Sequence, residues 1–438
     1  MRALQIKTTL RAVALGGALA ATAAAPAQFG LAGGIGEAFR PAFTTRDVQL
    51  AVDMLQLDDA QKFILETLYE DYSAEFHTGV DGFRDSVASM RDHIDPQNPR
   101  QIMRIVFGTI DNWRVESRQL ADQVMEDLRG LLNQEQLEMW GQYTRKLFRL
   151  KYLKNGQLPG ENLDLLNDVR ELSLDASQVE QLQPLLEEYE HGLDEALRRR
   201  EQYLQTSQSD LIEAISNENY SLGIRVAARQ VELRQGVRDF NETYTQTIAS
   251  ALPDDFSATF TDRIRQRTYP RVYRRTPADR AFEAAMKIED LEPETLEAIT
   301  DIWTSFLAEL ATFNEHLVQM IRDYKPLQIK HKVKQAAARM SDSTVDRLED
   351  PTRAEFAKRN ELSTRYIDQL KAILTPEQFA SLPGVRRWTT PDRARVRSTT
   401  SGAAGQIKKR VLDYPGGPRP GVSEDKSNPP KQRKITDD

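Results

Sequence analysis

Cysteine is absent from the 438 residues. That absence excludes thiol nucleophiles, Cys-ligated zinc, iron–sulfur clusters, disulfides and a lipid-anchored lipoprotein N-terminus. Histidine is scarce as well. His77, His93, His191, His316 and His331 are the only five, and no two share a helical face at i, i+3 or i+4, the spacing an imidazole-based metal centre needs. No phosphate loop, nucleophile elbow or H-E-x-x-H occurs, and Gly33, Gly34 and Gly36 have no strand before them. Aromatic residues make up only 8% and hydrophobic residues 39%, against 29% charged. An elongated, helix-rich body fits that balance better than a compact enzyme. The expectation is a protein that is not an enzyme, with no catalytic residue, metal or cofactor.

What is present begins at the N-terminus. Arg2, Lys7 and Arg11 precede an uncharged run of apolar and small residues over 12–27 that ends in Ala25-Pro26-Ala27. This is the pattern of a signal peptide, residues 1–27, cleaved after Ala27 or after Ala25. A retained membrane anchor is the competing reading, but the run falls short of the ~20 apolar residues a bilayer span needs. No later stretch resembles a span, so the mature chain is expected in the periplasm or secreted, and not membrane-spanning. Cleavage takes the formal charge from −7 to −10. The tail over 393–438 carries 11 basic and five acidic residues, which leaves the rest near −16. An acidic body argues against nucleic acid as a partner.

A length of 438 residues suggests two to four folding units, and an internal repeat divides the chain into three. An opening signature reads Leu57-Asp-Asp-Ala-Gln61, Leu174-Asp-Ala-Ser-Gln178 and Leu291-Glu-Pro-Glu-Thr295, at intervals of 117 residues. A closing signature reads Leu132-Asn-Gln-Glu-Gln136, Leu252-Pro-Asp-Asp-Phe256 and Leu374-Thr-Pro-Glu-Gln378, at intervals of 120 and 122. Downstream of the opening signature the apolar positions correspond in all three copies: Leu65, Leu182 and Ile299; Tyr72, Tyr189 and Phe306; Phe76, Leu193 and Leu310. Upstream of the closing signature, Leu120, Phe240 and Leu362 correspond, as do Leu128, Ile248 and Leu370. Spacings of three, four and seven are the apolar stripe of one helix face. The signatures themselves read as helix starts, with Asp, Asn or Thr capping the first turn and Pro293 and Pro376 at first-turn positions.

The predicted fold is therefore all-α and elongated, with three tandem long helical-hairpin units over 46–155, 163–270 and 280–390. Breakers at 95–99, 216–221, 325–326 and 341–344 place the turns, with a shorter middle helix in each unit. Linkers are expected at 155–162 and 269–279. A flexible leader over 28–45 and a disordered basic tail over 393–438 complete the expectation.

Two such signatures 75 to 83 residues apart on long amphipathic helices, behind a cleavable signal, resemble the Spy/CpxP family of periplasmic LTxxQ-motif proteins. Only Leu374-Thr375-Pro376-Glu377-Gln378 carries the full motif. The resemblance implies hooked helical hairpins forming a concave cradle, in a single chain or a homo-oligomer. It also implies ATP-independent chaperone, envelope-stress or metal-responsive activity.

A basic, aromatic segment closes each unit and is the candidate surface for clients or anions. It comprises Arg145 and Arg149; Arg263, Arg265, Arg267, Arg271, Arg274 and Arg275; and Arg386, Arg387 and Trp388. The competing reading is that basic residues suit helix C-termini and solubilise linkers. Two functions follow as expectations: a periplasmic holding chaperone or stress protein whose partners are other proteins, or a structural scaffold of the envelope. Burial of the apolar stripes within the protein would favour the scaffold.

Overall fold

The structure, a computed structural model, describes residues 39–90 and 99–385. The signal segment, most of the leader, the 95–96 breaker, Arg386, Arg387, Trp388 and the basic tail lie outside those residues. The described residues form twelve α-helices and no strand. In order these are α1 (Thr45–Leu55), α2 (Asp59–Met90), α3 (Pro99–Gly130), α4 (Gln134–Tyr152), α5 (Leu165–Arg170) and α6 (Ala176–Ser216), followed by α7 (Tyr220–Ala251), α8 (Asp254–Thr268), α9 (Pro277–Ala285), α10 (Pro293–Met340), α11 (Thr352–Ile373) and α12 (Pro376–Ser381). A 3-10 turn, Leu153–Asn155, follows α4.

The long helices pair as α2 with α3, α6 with α7 and α10 with α11. The pairs are antiparallel. Tyr189 meets Phe240 while Ser207, farther along α6, meets Gln230, earlier on α7. Likewise Arg359 reaches Asn314, and Tyr366 reaches Glu309. The apolar stripes explain the pairing: Leu65, Leu182 and Ile299 are buried, as are Tyr72, Tyr189 and Phe306, and Leu128, Ile248 and Leu370. Each such side chain removed from water contributes about 1.5–3 kcal/mol.

The starts follow the capping logic. Asn133 with Gln136, Asp175 with Gln178, Thr276 with Asp279, and Thr375 with Gln378 each form a reciprocal capping box. Asp58 and Gln61 exchange the same two hydrogen bonds at the start of α2.

The pairs do not stand apart as beads. One apolar core gathers α1 to α4 with Leu211 and Ile215 of α6, Val226 and Ala227 of α7, and Val333, Ala336 and Ala337 of α10. A second core joins Leu153 to α5, the middle of α6, α7 and α8. Helices α3 and α4 both pack on α6, and α7 packs on α10.

Four expectations are corrected. First, α6 and α7 join at a short turn and α10 and α11 at the segment 341–351, with no middle helix between them. Second, Pro326 does not turn the chain; α10 runs through it from Pro293 to Met340. Proline supplies no N–H to the carbonyl four residues back. That carbonyl, of Arg322, instead accepts from Arg238 Nη1 of α7 at 3.1 Å, so the helix continues without an orphaned acceptor. Third, α9 begins at Pro277, inside the segment expected as the 269–279 linker, while in the 155–162 segment Leu158, Gly160 and Glu161 are buried. Fourth, the end of the leader is fixed: Phe43 is buried, and the N–H groups of Ala42 and Phe43 donate to Tyr72 Oη at 2.7 and 3.2 Å.

The α6–α7 contact is close at Gly192, where a Cβ would stand 2.4 Å from the Phe240 ring. Glycine in a helix ordinarily weakens it by about 0.5–1 kcal/mol relative to alanine. Gly236 of α7 has open space around it. Gly236→Ala should therefore raise stability by up to about 1 kcal/mol, whereas Gly192→Ala should lower it by about 1–3 kcal/mol through overpacking. Urea midpoints of the two variants check the opposite signs.

Candidate functional site

The basic segments are mostly engaged with carboxylates of the same chain. Arg149 is buried, with Nη1 2.8 Å from Glu190 Oε1 and Nε 3.2 Å from Asp164 Oδ2. Burial pulls its pKa down, but Asp164 and Glu190 outweigh that and hold it above the ordinary arginine value. Arg145 approaches Glu190 at 3.4 Å. Arg263 donates to Glu171 at 2.9 Å, and Arg267 lies 2.5 Å from Asp168. Arg265 faces Asp262 at 3.7 Å, Arg275 pairs with Glu283, and Arg271 lies over the Phe356 ring at 4.3 Å. Arg274 is exposed, and its carbonyl accepts from Arg359 at 3.0 Å. Arg145, Arg149, Arg263 and Arg267 join one helix or segment to another, whereas Arg265 pairs within α8.

The signatures serve as joints as well as caps. In the first pair of arms Gln61 Nε2 donates to the Leu131 carbonyl at 2.7 Å and lies 2.9 Å from Gln136 Oε1, while Gln136 is buried and also reaches the Gln56 carbonyl. The opening and closing glutamines thus meet across 75 residues. Phe256 and Thr295 replace one glutamine in each of the other two copies, so neither can form this bond. Leu132, Leu252 and Leu374 are buried, and Leu57, Leu174 and Leu291 are half-buried. Gln178 and Gln378 act as caps only.

The densest polar cluster was not among the expected sites. Glu161, fully buried after α4, accepts from Arg200 Nη1 at 2.6 Å and Arg234 Nη1 at 2.8 Å through Oε1, and from the N–H groups of Gln157 and Leu158 through Oε2. Arg200 Nη2 also donates to the Tyr152 carbonyl and to Glu201, and Arg234 Nη1 to the Asn155 carbonyl. A carboxylate with four donors and arginines with neutral and charged acceptors form a satisfied network. Beside it, Asn241 Nδ2 donates to the Gly160 carbonyl, and its Oδ1 accepts from Tyr189 Oη at 2.9 Å. Tyr72 and Tyr189, read from sequence as apolar, both use their hydroxyls to accept backbone N–H groups. Burial accordingly pushes both phenols above the ordinary value.

Among the described residues no group of three or more His, Asp or Glu is arranged to hold a metal ion. No helix there is long and apolar enough to cross a membrane. In the acidic run around His191, Glu190 is committed to Arg149, and Glu188 accepts from Tyr244. An open depression on α11 is lined by Glu361, Thr364, Arg365, Asp368, Gln369 and Ala372, with the Thr364 hydroxyl donating to the Asn360 carbonyl of its own helix.

Removing the charge of Glu161 while keeping its shape leaves Arg200 and Arg234 buried without their shared counter-charge. Glu161→Gln should lower unfolding stability by about 3–5 kcal/mol, read as a fall in the urea midpoint. Tyr143 behaves oppositely. Its hydroxyl is buried with no hydrogen-bond partner, so Tyr143→Phe should leave stability unchanged or raise it. Comparison with protein families, with characterised proteins and with solved structures finds no match.

Proposed function

We propose that this chain is a non-enzymatic helical scaffold, exported by its N-terminal signal, that holds protein partners of the cell envelope on the outer faces of its arms. The observation that carries the reading is where the apolar stripes go. Most of their residues are buried between paired arms, with Leu120 and Phe240 half-buried, and Arg149, Arg263 and Arg267, which would hold acidic clients, are paired within the chain. A holding chaperone needs contiguous apolar surface free for clients. Among the described residues, the large apolar side chains that remain exposed are spread over four helices and a loop: Phe63 and Ile64 on α2, Val115 on α3, Val179 on α6, Leu296, Leu307 and Leu327 on α10, and Val345. Single exposed apolar residues are ordinary on protein surfaces. The Spy/CpxP resemblance of the signatures supports export and an envelope role, and the capping and Gln61–Gln136 contacts supply a structural reason for those motifs.

Aggregation suppression separates the two roles. At equimolar ratio the chain lacking residues 1–27 should leave the light scattering of a heat-unfolded client within about twofold of the control. Suppression well beyond that, retained without residues 393–438, would transfer the assignment to a holding chaperone. In the scaffold case, cross-linking in intact cells should trap discrete partners, and their yield should fall in the destabilised Glu161→Gln variant.

A further inference from the structure

Asp168 stands out because its surroundings suit an apolar side chain. It lies on α5, fully buried, in the seam where α5 packs on α8. One interval of 117 residues before and after it stand Ala51 and Ala285, both fully buried. On the opposite side, 120 residues before Arg267 and Arg263, stand Leu147 and Tyr143, buried in the apolar core. Where the first copy has a neutral seam, the middle copy thus has a carboxylate facing arginines. Its partners are incomplete. Neither Asp168 carboxylate oxygen makes a hydrogen bond. Arg267 Nη1 lies 2.5 Å from Oδ1 as a charge contact, but Arg267 is 46% exposed and shared with Glu171 at 3.5 Å. Arg263, the other α8 cation, is spent on the Asp168 carbonyl and on Glu171. Asp164 and Glu171 add negative charge from its own side, and the Tyr189 hydroxyl of α6 is held by Asn241 and Leu165.

We propose that Asp168 is a proton-operated latch on the α5–α8 seam. Neutral, it packs as the alanines at 51 and 285 do; ionised, it places a poorly partnered charge in the seam and loosens it. The surface released by loosening is apolar: Leu165, Val169, Phe260 and Ile264, all buried in the second core. Desolvation by burial is the largest influence on the carboxyl and pushes it up to about 6 from the usual 3.8, with Arg267 pulling partly back. A folded-state pKa above the unfolded one means that the closed seam holds a proton the opened seam has released. The resulting stability is fully present below about 4 and is lost as the pH rises to about 6. The latch therefore tightens on acidification.

The test is amide hydrogen exchange of residues 165–172 in the full chain, with Asp168→Asn as the neutral isostere, normalised to intrinsic exchange rates from about pH 4.5 to 7.5. In the wild type the opening constant should rise by up to about tenfold per pH unit and level off near pH 6. In Asp168→Asn that rise should be missing. Equal profiles in the two proteins overturn the proposal. Carbon-13 NMR titration of the Asp168 carboxyl in the unmutated protein decides independently of whether the variant folds. A midpoint near 6 supports the latch, and one at the ordinary carboxylate value rejects it.

Discussion

Glu161 is the residue on which the interior of this molecule turns. Its carboxylate sits without solvent in the segment between α4 and α5, with two arginines on one oxygen and two backbone N–H groups on the other. Arg200 comes from α6 and Arg234 from α7, so one side chain joins both arms of the middle pair to the end of the preceding helix. An ion cluster of this kind does not owe its presence to net stability, since apolar residues of similar volume serve as well or better. What it imposes is register. Sliding α6 or α7 by one turn, about 5.4 Å, would strand a buried charge, which apolar packing alone would tolerate far more readily.

The same device recurs in a looser form. Buried arginines on the arms donate to backbone carbonyls at or after the end of an earlier helix: Arg200 to Tyr152, the last residue of α4, Arg234 to Asn155 in the 3-10 turn, and Arg359 to Arg274 in the segment between α8 and α9. Helix C-termini leave carbonyls unsatisfied and carry partial negative charge, so at the end of α4 a guanidinium from a neighbouring helix answers both at once. Arg359 reaches no carboxylate directly; it bonds Asn314 Oδ1, and burial lowers its pKa despite the attraction of Asp279. These contacts make one body of helices that pair in sequence order.

The sequence exposed the helical class and the apolar faces because both obey a period. Leu65, Tyr72 and Phe76, with their counterparts 117 and 234 residues later, repeat at helical spacing and are buried in every copy. The caps were legible for a similar reason, since Asn133–Gln136 and Thr375–Gln378 act within one turn. Long-range polar pairing has no such local imprint. Glu161, Arg200 and Arg234 look like three ordinary charges in a chain that is 29% charged, and only the packed arms bring them together. Basic residues near helix ends invited a surface reading, yet Arg149 is buried against Glu190. Proline misled in one place, because the cue at Pro326 omits the donor from another helix that makes a continuous helix tolerable. In the segment 155–162 the Gly and Pro content signals a break between helices but says nothing of whether it is covered, and Leu158, Gly160 and Glu161 are buried.

That donor at Pro326 makes one helix depend on another. Pro326 denies the Arg322 carbonyl its usual donor four residues on, and Arg238 can supply one only when α7 lies alongside. A 48-residue helix thus carries, about two-thirds of the way along, a gap that another part of the chain must close. The continuity of α10 past Pro326 thus leans on α7 lying alongside, which ties the middle third of the protein to the last.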